Sequence, residues 1–414
     1  MNKLKIAMVT TFFPPHNFGG DGVFVQRLSN ALAGRGHEVH VIHDKDAFSL
    51  GSKALVANTS EAHDLTDPRV TVHSLDGGAT GKLDLIATHQ LGRPLGKSEQ
   101  LQKFLDQKFD VIHFHNVSLL GGPGVLTYGQ GVKLCTLHDH WFVCSTHVLW
   151  RFDEEPCSQR TCMTCTLAAH RPPQLWRYTG AIERAARHVD AFLAPSEFAR
   201  GSHISNGFPA PIRVLPHFLA DPALDVDPEP VHSRPYFLFV GRLEKIKGVQ
   251  VLIEQFSQFK DADLIVVGNG NYEETLRESA RGLKHIHFLG RMSSERLREY
   301  YRQAVAVLVP SLCYETFGLV PLEAFSVATP VIVNNLGALP EVVKDGGGIT
   351  YGSPAELTEA MKKVLGDREL RDRLGLAGLS NFKSNYSESK HIERYLNLIA
   401  ELQKKHLEVS CPAK

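Results

Sequence analysis

The stretch YFLFVGRLEKIKGVQVLIEQFSQFKDADLIVVG, residues 236–268, decides the fold class of this chain. It begins and ends with apolar runs of strand length, at 236–241 and 263–268. Between them lies a segment around 249–259 whose apolar residues recur with helical spacing. A strand, a helix and a second strand in this order form a βαβ unit, in which the two strands pair in parallel. The pattern therefore predicts an α/β protein.

The same alternation continues through the second half of the chain. Further strands are predicted at 285–290, 305–311 and 329–333, and further helices around 272–281 and 294–304. This series predicts a doubly wound domain over residues 236–386. Residues 219–235, just before it, contain four prolines and four acidic residues but little apolar pattern, so we interpret them as a linker.

The first half carries a second series of the same kind. Strands are predicted at 4–12, 36–42, 109–116, 132–139, 190–196 and 212–216, with helices after residue 19 and near 175–188. We predict an N-terminal Rossmann-like domain over 1–218, and a last helix over about 387–406 is a candidate to pack back on it. Two doubly wound domains would face each other across a cleft, with ligands at the carboxyl ends of the strands.

Composition limits the classes of function. The 414 residues are 43% hydrophobic and 22% charged, an ordinary soluble balance, and 45 basic residues offset 45 acidic ones, which argues against nucleic acid as a partner. Seven cysteines are too few for a disulfide scaffold. The N-terminal apolar run is short and ends in Pro-Pro, unlike a signal peptide, and no run is long enough to cross a bilayer. We expect a cytoplasmic protein.

Two loops of the second half carry candidate donor-binding residues. Arg242 and Lys247 follow the strand that ends at Gly241, where two cations would suit a diphosphate. The alternative is a solvated basic loop. The next strand ends in VVGNGNY, in which Gly268 and Gly270 would let the backbone approach a ligand.

The stretch SLCYETFGLVPLEAFSVATPVIV, residues 311–333, places two glutamates in an apolar setting. Pro321 suits the first turn of a helix, so Glu315 would precede the loop before that helix and Glu323 would lie in its first turn. Backbone N–H groups of Phe317, Gly318, Leu319 and Val320 would bind an anion, Glu323 a ribose and Glu315 the hydroxyls of a sugar. Alternatively, Glu323 only favours the helix dipole and Glu315 is solvated.

In the first half, polar residues gather where predicted strands end. Gly20 opens the first helix and would let a ligand approach, but the spacing is not G-x-G-x-x-G, so we do not infer NAD. The strand-end set consists of His113, His115, Asn116, His138, Asp139 and His140. From it we select His138 as a catalytic group and His115 and Asn116 as acceptor-side residues, because imidazole can donate to a reacting hydroxyl. Each could instead be a strand-end hydrogen bonder.

Four motifs together resemble glycosyltransferase family 4, retaining enzymes of the GT-B fold. They are the pair of glutamates spaced E-x7-E, the loop GRLEKIKG, the segment VGNGNY and the N-terminal GGDGVFVQRLSNALAGRGHEV, and the resemblance covers nearly the whole chain. It implies a hexosyltransferase of the bacterial polysaccharide or glycolipid type. The donor would be a UDP- or GDP-sugar bound by the second domain, and the acceptor a glycan or lipid-linked molecule held by the first.

The resemblance also implies roles for single residues. Arg242 and Lys247 would hold the diphosphate, Glu323 the ribose and Glu315 the donor sugar, with His138 near the reacting centre. It implies no catalytic metal, and Asp261-Ala262-Asp263, although a D-x-D sequence, leads into a strand rather than following one. The other functions considered are a sugar-nucleotide epimerase and a non-catalytic sugar-nucleotide-binding scaffold.

Two segments depart from the simplest form of this pattern. Cys144, Cys157, Cys162 and Cys165 offer four thiolates, one pair spaced C-x2-C, and predict a structural zinc site; the alternatives are reduced packing cysteines and a redox pair. Residues 168–189 combine four arginines with Trp176 and Tyr178. Such a segment could contact a membrane on its inner face, or it could be a half-buried helix with a solvated face.

Overall fold

A computed structural model describes residues 3–17, 19–51, 65–152, 154–220 and 229–410. The chain divides into two compact units. The first comprises Met1–Val148, Gln159–Pro216 and His391–Lys414, and the second Leu149–Ser158 and His217–Lys390. Of the predicted linker, residues 221–228 lie outside the described part of the chain.

The first unit is built on one parallel sheet. Its order is β3-β2-β1-β4-β5-β8-β9, and every pair of neighbours is parallel. Its seven strands in the described residues are β1 (Lys5–Val9), β2 (Glu38–Asp44), β3 (Val70–Leu75), β4 (Val111–Phe114), β5 (Val132–Thr136), β8 (Ala191–Ala194) and β9 (Ile212–Val214). β4, β5 and β8 are buried throughout, as expected for strands covered on both faces.

Helices connect these strands. They are α1 (Gly20–Gly34), α2 (Lys45–Gly51), α3 (Gly81–Leu91), α4 (Ser98–Leu105), α5 (Cys162–Ala168), α6 (Ala181–Ala186) and α7 (Glu197–Ser205), with 3₁₀ helices at Gly78–Thr80, Gly122–Thr127 and Leu175–Tyr178. α1 buries Phe24, Val25 and Leu28 against the sheet, which is the packing that its apolar spacing predicts. The prediction of one helix near 175–188 is wrong, because Gly180 adopts a left-handed φ of +69° and separates the 3₁₀ helix from α6.

The second unit repeats this architecture. Its sheet has the order β12-β11-β10-β13-β14-β15, again with parallel neighbours only. In the described residues its strands are β10 (Tyr236–Val240), β11 (Asp263–Val267), β12 (Ile286–Gly290), β13 (Ala306–Val309), β14 (Val331–Asn334) and β15 (Gly348–Tyr351). A separate antiparallel pair joins β6 (Trp150–Arg151) to β7 (Glu155–Pro156). Two Rossmann-like sheets confirm the predicted fold class.

The helices of the second unit alternate with its strands. They are α8 (Val249–Gln258), α9 (Glu273–Ser279), α10 (Ser294–Gln303), α11 (Leu319–Ser326), α12 (Leu339–Val343), α13 (Pro354–Gly366) and α14 (Arg368–Asn381), followed by a π-helical turn at Phe382–Tyr386. The last helix, α15, runs over Glu388–Ser410, and its residues from His391 onward belong to the first unit.

The strand order identifies where each sheet can bind a ligand. In the first sheet the chain proceeds outward from β1 to β3 and then restarts at β4 on the other side of β1; in the second it does the same at β10 and β13. Such topological switch points open a crevice at the carboxyl ends of the two central strands. The predicted site residues follow β4, β5, β10, β11 and β13, and so lie at these carboxyl edges.

None of the helices in the described residues is long and apolar enough to cross a membrane.

Candidate active site

An ion pair joins Lys247 to Glu315 in the second unit. Lys247 ends the 3₁₀ helix Lys245–Lys247, and its Nζ lies 2.6 Å from Oε1 of Glu315. Ser311 donates from Oγ to the same carboxylate oxygen at 2.7 Å. Although burial disfavours charge on both groups, their pairing lowers the pKa of Glu315 and raises the pKa of Lys247. Both side chains are therefore charged near neutral pH.

Backbone contacts between two loops hold this pair in place. The N–H of Leu312, after β13, donates to the carbonyl of Ile246, after β10, at 2.8 Å. Gly248 has a φ of +79°, and a side chain there would collide with the carbonyl oxygen of Pro310. A β-carbon at Gly337 would lie 2.8 Å from the backbone nitrogen of Glu315. The loops that carry the two charges are thus packed backbone against backbone.

Gly268 and Gly270 are required for a similar reason. A side chain at Gly268 would collide with the carbonyl oxygen of Gly241, and one at Gly270 with that of Leu243. The sequence predicted that these glycines allow a ligand to approach the backbone. In the structure, the backbone that approaches them is the loop after β10.

Arg242 is the more exposed of the two predicted diphosphate ligands. Its side chain is 55% exposed, and Nη1 lies 2.8 Å from Oε1 of Glu244 in the same loop. Burial raises the pKa of Glu315, whereas Arg242 helps to lower it, with a smaller effect than Lys247 or Ser311. The second cation is therefore present at this edge, but its guanidinium is paired with another carboxylate.

Glu323 lies two residues further into its helix than predicted. α11 begins at Leu319 rather than at Pro321, because Gly318 adopts a φ of +127° and ends the preceding loop. The prediction that Glu323 lies in the first turn is therefore wrong; its carboxylate accepts a 2.6 Å hydrogen bond from the hydroxyl of Tyr301 on α10. Burial and this carboxylate raise the pKa of Tyr301 well above its usual value, so the phenol remains the donor.

The predicted anion site spans the start of α11. Phe317 is buried against Tyr386 and His217, and Gly318, the residue that caps the helix, has no side chain to accept from the first-turn N–H groups. Leu319 and Val320 form that first turn and are half-buried. The helix N-terminus thus lacks the Ser, Thr or Asp cap that many helices have.

In the first unit, His115 and His138 are hydrogen-bonded to each other. Nδ1 of His115 lies 2.9 Å from Nε2 of His138, and Phe24 of α1 packs edge-on against the His138 ring with centroids 5.4 Å apart. Burial lowers the pKa of His138, opposed in part by the carboxylates of Asp21 and Asp139. His138 is therefore neutral at pH 7 and can donate to, or accept from, a hydroxyl group.

Behind this pair lies a third histidine. The His113 ring lies tilted against that of His115, with centroids 4.0 Å apart, and its two nitrogens lie 3.1 Å from the Tyr395 hydroxyl and 2.8 Å from Oγ1 of Thr136. Burial lowers the pKa of His113 well below its ordinary value. Of the strand-end histidines, His113 is thus a core hydrogen bonder, as the alternative interpretation had it.

Asn116 is fixed between α1 and the loop after β4. Its Nδ2 donates to Oδ2 of Asp21 at 3.0 Å, and its Oδ1 accepts from the hydroxyl of Ser118 at 2.7 Å. Gly20 is the first residue of α1, directly before Asp21. The structure thus brings Gly20, Asn116, His115 and His138 to one edge of the first sheet, and Asp21 joins them.

Three of the four predicted cysteine ligands lie near one another. Burial and then the neighbouring thiols of Cys144 and Cys165 raise the pKa of Cys162. Cys144, Cys162 and Cys165 belong to the first unit and Cys157 to the second. Within the described ranges, the single group of three or more His, Cys, Asp or Glu residues with ligand atoms inside 4.8 Å of one another contains no cysteine. Sγ of Cys144 lies 3.2 Å from Oγ1 of Thr146.

Part of the basic and aromatic segment is internal. Trp176 is buried, packs on Trp141 and donates from Nε1 to the carbonyl of His89 at 2.9 Å. Arg177 contacts both tryptophan rings, its guanidinium carbon 4.7 Å from the Trp176 centroid and 5.3 Å from that of Trp141. Trp176 and Arg177 therefore fit the half-buried alternative for this segment rather than a membrane contact. Tyr178 is exposed.

Sequence reasoning missed the residues that position the predicted ones. Ser311 holds Glu315, Tyr301 holds Glu323, and Asp21 holds Asn116. A weak signal existed for Ser311, which directly follows the apolar run of β13, and for Asp21, next to Gly20. Tyr301 had none, because its hydroxyl reaches Glu323 from another helix.

Two family models match the chain, one in each half. "Glycosyltransferase Family 4" matches residues 18–221, and "Glycosyl transferases group 1" matches residues 223–380. An uncharacterized glycosyltransferase of Methanocaldococcus jannaschii is 25% identical over 398 residues, covering 89% of this chain and 91% of its own. The phosphatidyl-myo-inositol mannosyltransferase of Mycobacterium leprae is 36% identical over 150 residues, 34% of this chain and 40% of its own.

A solved structure shares the fold. The Anabaena protein HepE, in complex with UDP and glucose, superimposes with a TM-score of 0.67 at 16% identity, covering 96% of this chain and 100% of that one. Together with two matched domains in the expected order, this agreement confirms the resemblance seen in the sequence. The chain belongs to the family 4 glycosyltransferases of the GT-B fold, enzymes that take a sugar from a nucleotide-sugar donor.

Proposed function

We propose that this enzyme transfers a hexose from a UDP- or GDP-sugar to a hydroxyl of a glycan or lipid-linked acceptor, with retention of the anomeric configuration. The observation that carries the proposal is the charged Lys247–Glu315 pair at the switch point of the second sheet. The cation would stabilise the negative charge of the leaving diphosphate, and the carboxylate would stabilise the positive charge that develops on the sugar ring.

The pair also suggests how the donor is received. In the free protein, Lys247 and Glu315 neutralise each other, and Arg242 is paired with Glu244. A diphosphate brings two negative charges, which would draw Lys247 and Arg242 toward it and leave Glu315 to the sugar. Lys and Arg would thus supply the cationic charge for the leaving group, without a catalytic metal.

The acceptor would meet a different kind of surface. His138, His115 and Asn116 are hydrogen-bonding groups at the carboxyl edge of the first sheet, suited to holding a hydroxyl. We propose that His138 orients the attacking hydroxyl, whose proton passes to the departing phosphate oxygen. The hydroxyl oxygen bonds to the anomeric carbon on the face from which the phosphate leaves, which retains the configuration. Glu323 would hold the ribose, and the start of α11 a phosphate.

Two relatives support the finer parts of this proposal. HepE was solved with UDP and glucose, which favours UDP as the nucleotide part of the donor. The name of the Mycobacterium leprae relative, a phosphatidyl-myo-inositol mannosyltransferase, favours a lipid-linked acceptor. Leu175 and Tyr178 are 61% and 65% exposed, and Arg171 near them is exposed as well. These side chains could contact the inner face of a membrane, where a lipid-linked acceptor resides. The enzyme would then act in the cytoplasm, in the synthesis of a polysaccharide or glycolipid.

The experiment is an incubation with a panel of radiolabelled UDP- and GDP-sugars, with and without membrane extract as acceptor. Transfer, or slow hydrolysis of one donor without acceptor, is the expected result, and NMR of the product would give its anomeric configuration. Conversion of one sugar nucleotide into another would favour an epimerase instead. Binding without turnover of any donor would favour a non-catalytic scaffold.

The four cysteines are proposed to hold a structural zinc ion when the protein is loaded. The support is their spacing, which includes one C-x2-C pair. Purified protein should then contain zinc that is lost in a Cys162→Ser/Cys165→Ser variant, together with a lower melting temperature. Four thiols that all react freely in the native protein would exclude the site.

A further inference from the structure

Three side chains of ligand type converge at the opposite end of the second sheet. His232 lies in the segment before β10, Asp263 is the first residue of β11, and His287 lies near the start of β12. Nε2 of His232 lies 2.7 Å from Oδ2 of Asp263, and Nε2 of His287 lies 3.1 Å from the same oxygen. This is the amino edge of the sheet, whereas Lys247 and Glu315 follow the carboxyl ends of the strands.

The geometry is unusual for histidines that serve only as hydrogen bonders. Both rings present the same nitrogen to one carboxylate oxygen, and the imidazole centroids are 5.1 Å apart. In the described part of the chain, these residues form the single group of three or more His, Cys, Asp or Glu side chains whose ligand atoms all lie within 4.8 Å of one another. Three ligand atoms that converge from three separate segments fit a common central atom.

Distances and ligand types indicate which ion would fit. Zinc binds His nitrogen and Asp oxygen at about 2.0–2.2 Å in a tetrahedron, so its ligand atoms are separated by roughly 3.3 Å. The 2.7 and 3.1 Å separations in the structure would need only small outward rotations of the imidazoles to reach this spacing. Two imidazoles and one carboxylate suit zinc and similar transition-metal ions better than Mg²⁺ or Ca²⁺, which prefer oxygen ligands.

The surroundings of Asp263 support the same assignment. Its side chain is only 5% exposed, while those of His232 and His287 are 19% and 35% exposed, so an ion could reach the group from the histidine side. Oδ1, the oxygen that faces away from the histidines, lies 2.7 Å from Nη1 of Arg234, whose Nη2 donates to the carbonyl of Lys260 at 2.8 Å. This guanidinium orients the carboxylate from behind, as outer groups do in metal sites.

We propose that His232, Asp263 and His287 bind one divalent transition-metal ion of the zinc type. The site would tie the segment that enters the second sheet to β11 and β12, because one ligand comes from each. Three protein ligands leave one tetrahedral position for water. The proposal also explains the D-x-D sequence at 261–263 that the donor site did not use: its second aspartate serves this amino-edge site.

The experiment is a titration of chelator-treated full-length protein with Co²⁺, followed by calorimetry and by visible absorption. We expect one equivalent whose cobalt spectrum lacks sulfur charge-transfer absorption, which separates it from any ion held by cysteines. His232→Asn and His287→Asn should each lower the affinity for this cobalt ion by about a hundredfold or more, since losing a direct ligand should cost at least as much as losing an outer group.

A matched control comes from the first unit. His73 also lies 3.2 Å from a second histidine, His40, which in turn contacts Glu38. His40 uses its two opposite nitrogens for these contacts, so the ligand atoms do not converge, and His73→Asn should leave the titration unchanged. The proposal is overturned if the parent protein binds no cobalt without sulfur ligation. It is overturned equally if His287→Asn, folded by circular dichroism, binds cobalt as the parent does.

Discussion

The two sheets share a topology but carry different kinds of side chain at their carboxyl edges. In the first, His138, His115 and Asn116 form a hydrogen-bonding surface. In the second, Lys247 and Glu315 form an ion pair whose pKa values have moved apart, so that both stay charged. The difference shows that the doubly wound fold supplies only a position, and that the loop residues decide its chemistry; in the proposed function, one edge would meet a hydroxyl and the other a diphosphate.

The largest expected effect comes from neutralising the carboxylate of the charged edge. Glu315→Gln keeps the shape of the side chain but removes the charge that, in the proposed function, faces the developing positive charge of the sugar ring. We expect kcat to fall by about a hundredfold or more, while UDP or GDP alone binds as it does to the parent.

Steady-state kinetics and calorimetry on the Glu315→Gln protein would check both halves of this expectation. Glu254→Gln, on the exposed face of α8, is the matched control and should change neither quantity. Parental kcat in Glu315→Gln, or a defect confined to the affinity for nucleoside diphosphate, would remove Glu315 from its assigned role.

The cations of the same edge should govern binding before reaction. Lys247→Ala removes a charge-assisted contact worth roughly 1.5–3 kcal/mol, so nucleoside diphosphate should bind about ten- to a hundredfold more weakly. Arg242→Ala should cost less, because its side chain is 55% exposed and already paired with Glu244. Calorimetry with Lys245→Ala, an exposed neighbour, as control would check this order; unchanged binding in both variants would contradict the diphosphate assignment.

The pH dependence of stability should separate the two units. Burial lowers the pKa of His391, in the first unit, from its ordinary 6.5 to about 4. Below pH 6.5 the unfolded chain takes up a proton that the folded chain does not, so stability falls by about 1.4 kcal/mol per pH unit down to about pH 4. The Lys247–Glu315 pair behaves differently: the pKa of Glu315 is lowered, so its contribution is lost only below the ordinary pKa of a glutamate.

Melting curves at pH 7 and pH 5 would measure this contrast. The melting temperature of the parent should fall between these values, and it should fall less in His391→Asn, which no longer has this proton to take up. Glu315→Gln should show the same drop as the parent over this range. An equal drop in His391→Asn and the parent would show that His391 does not set the acid sensitivity.

A smaller effect on kcat is expected at the carboxyl edge of the first sheet. His115→Asn removes the 2.9 Å hydrogen bond that orients His138, and such a bond contributes about 0.5–1.5 kcal/mol, so kcat should fall about two- to tenfold. Affinity for nucleoside diphosphate should stay unchanged, and the acid limb of the kcat profile should shift, since His138 loses a partner. A fall in kcat with an unmoved profile would indicate that His115 acts only through the core.

The smallest effect is expected for Tyr301, which holds the predicted ribose ligand Glu323. Tyr301→Phe removes the hydroxyl that holds Glu323 at 2.6 Å and should weaken nucleotide and sugar nucleotide alike by a few-fold, less than Glu323→Gln does. Tyr300→Phe, on the same helix, serves as the control. If the two variants weakened sugar nucleotide but not nucleotide, Glu323 would belong to the sugar rather than to the ribose.

Local apolar patterning determined most of the architecture. The central strands β4, β5, β10 and β11 are largely buried, so each appears in the sequence as a mostly apolar run, which His113 interrupts in β4 and Lys133 in β5. The edge strands β3 and β15 were not predicted, because half of the residues of β3 face solvent and β15 is only four residues long.

The candidate site was predictable to the extent that function lies at strand ends. A strand followed by Arg242 and Lys247, or by Glu315, can be read locally, and four motifs in order identified the family. The partners of these residues could not be read in this way. Lys247 and Glu315 are 68 residues apart in sequence, and Tyr301 reaches Glu323 from another helix.

The sequence by itself determined the α/β class, the two doubly wound halves and the residues that follow each central strand, because strand burial and helical spacing are local properties of the chain. Only the tertiary structure decided that Lys247 and Glu315 neutralise each other, that Gly268 makes room for Gly241, that Trp176 is buried and that His232, Asp263 and His287 converge. Each of these depends on which segments the sheet order brings side by side. Contacts between segments far apart in sequence leave no periodic trace along the chain.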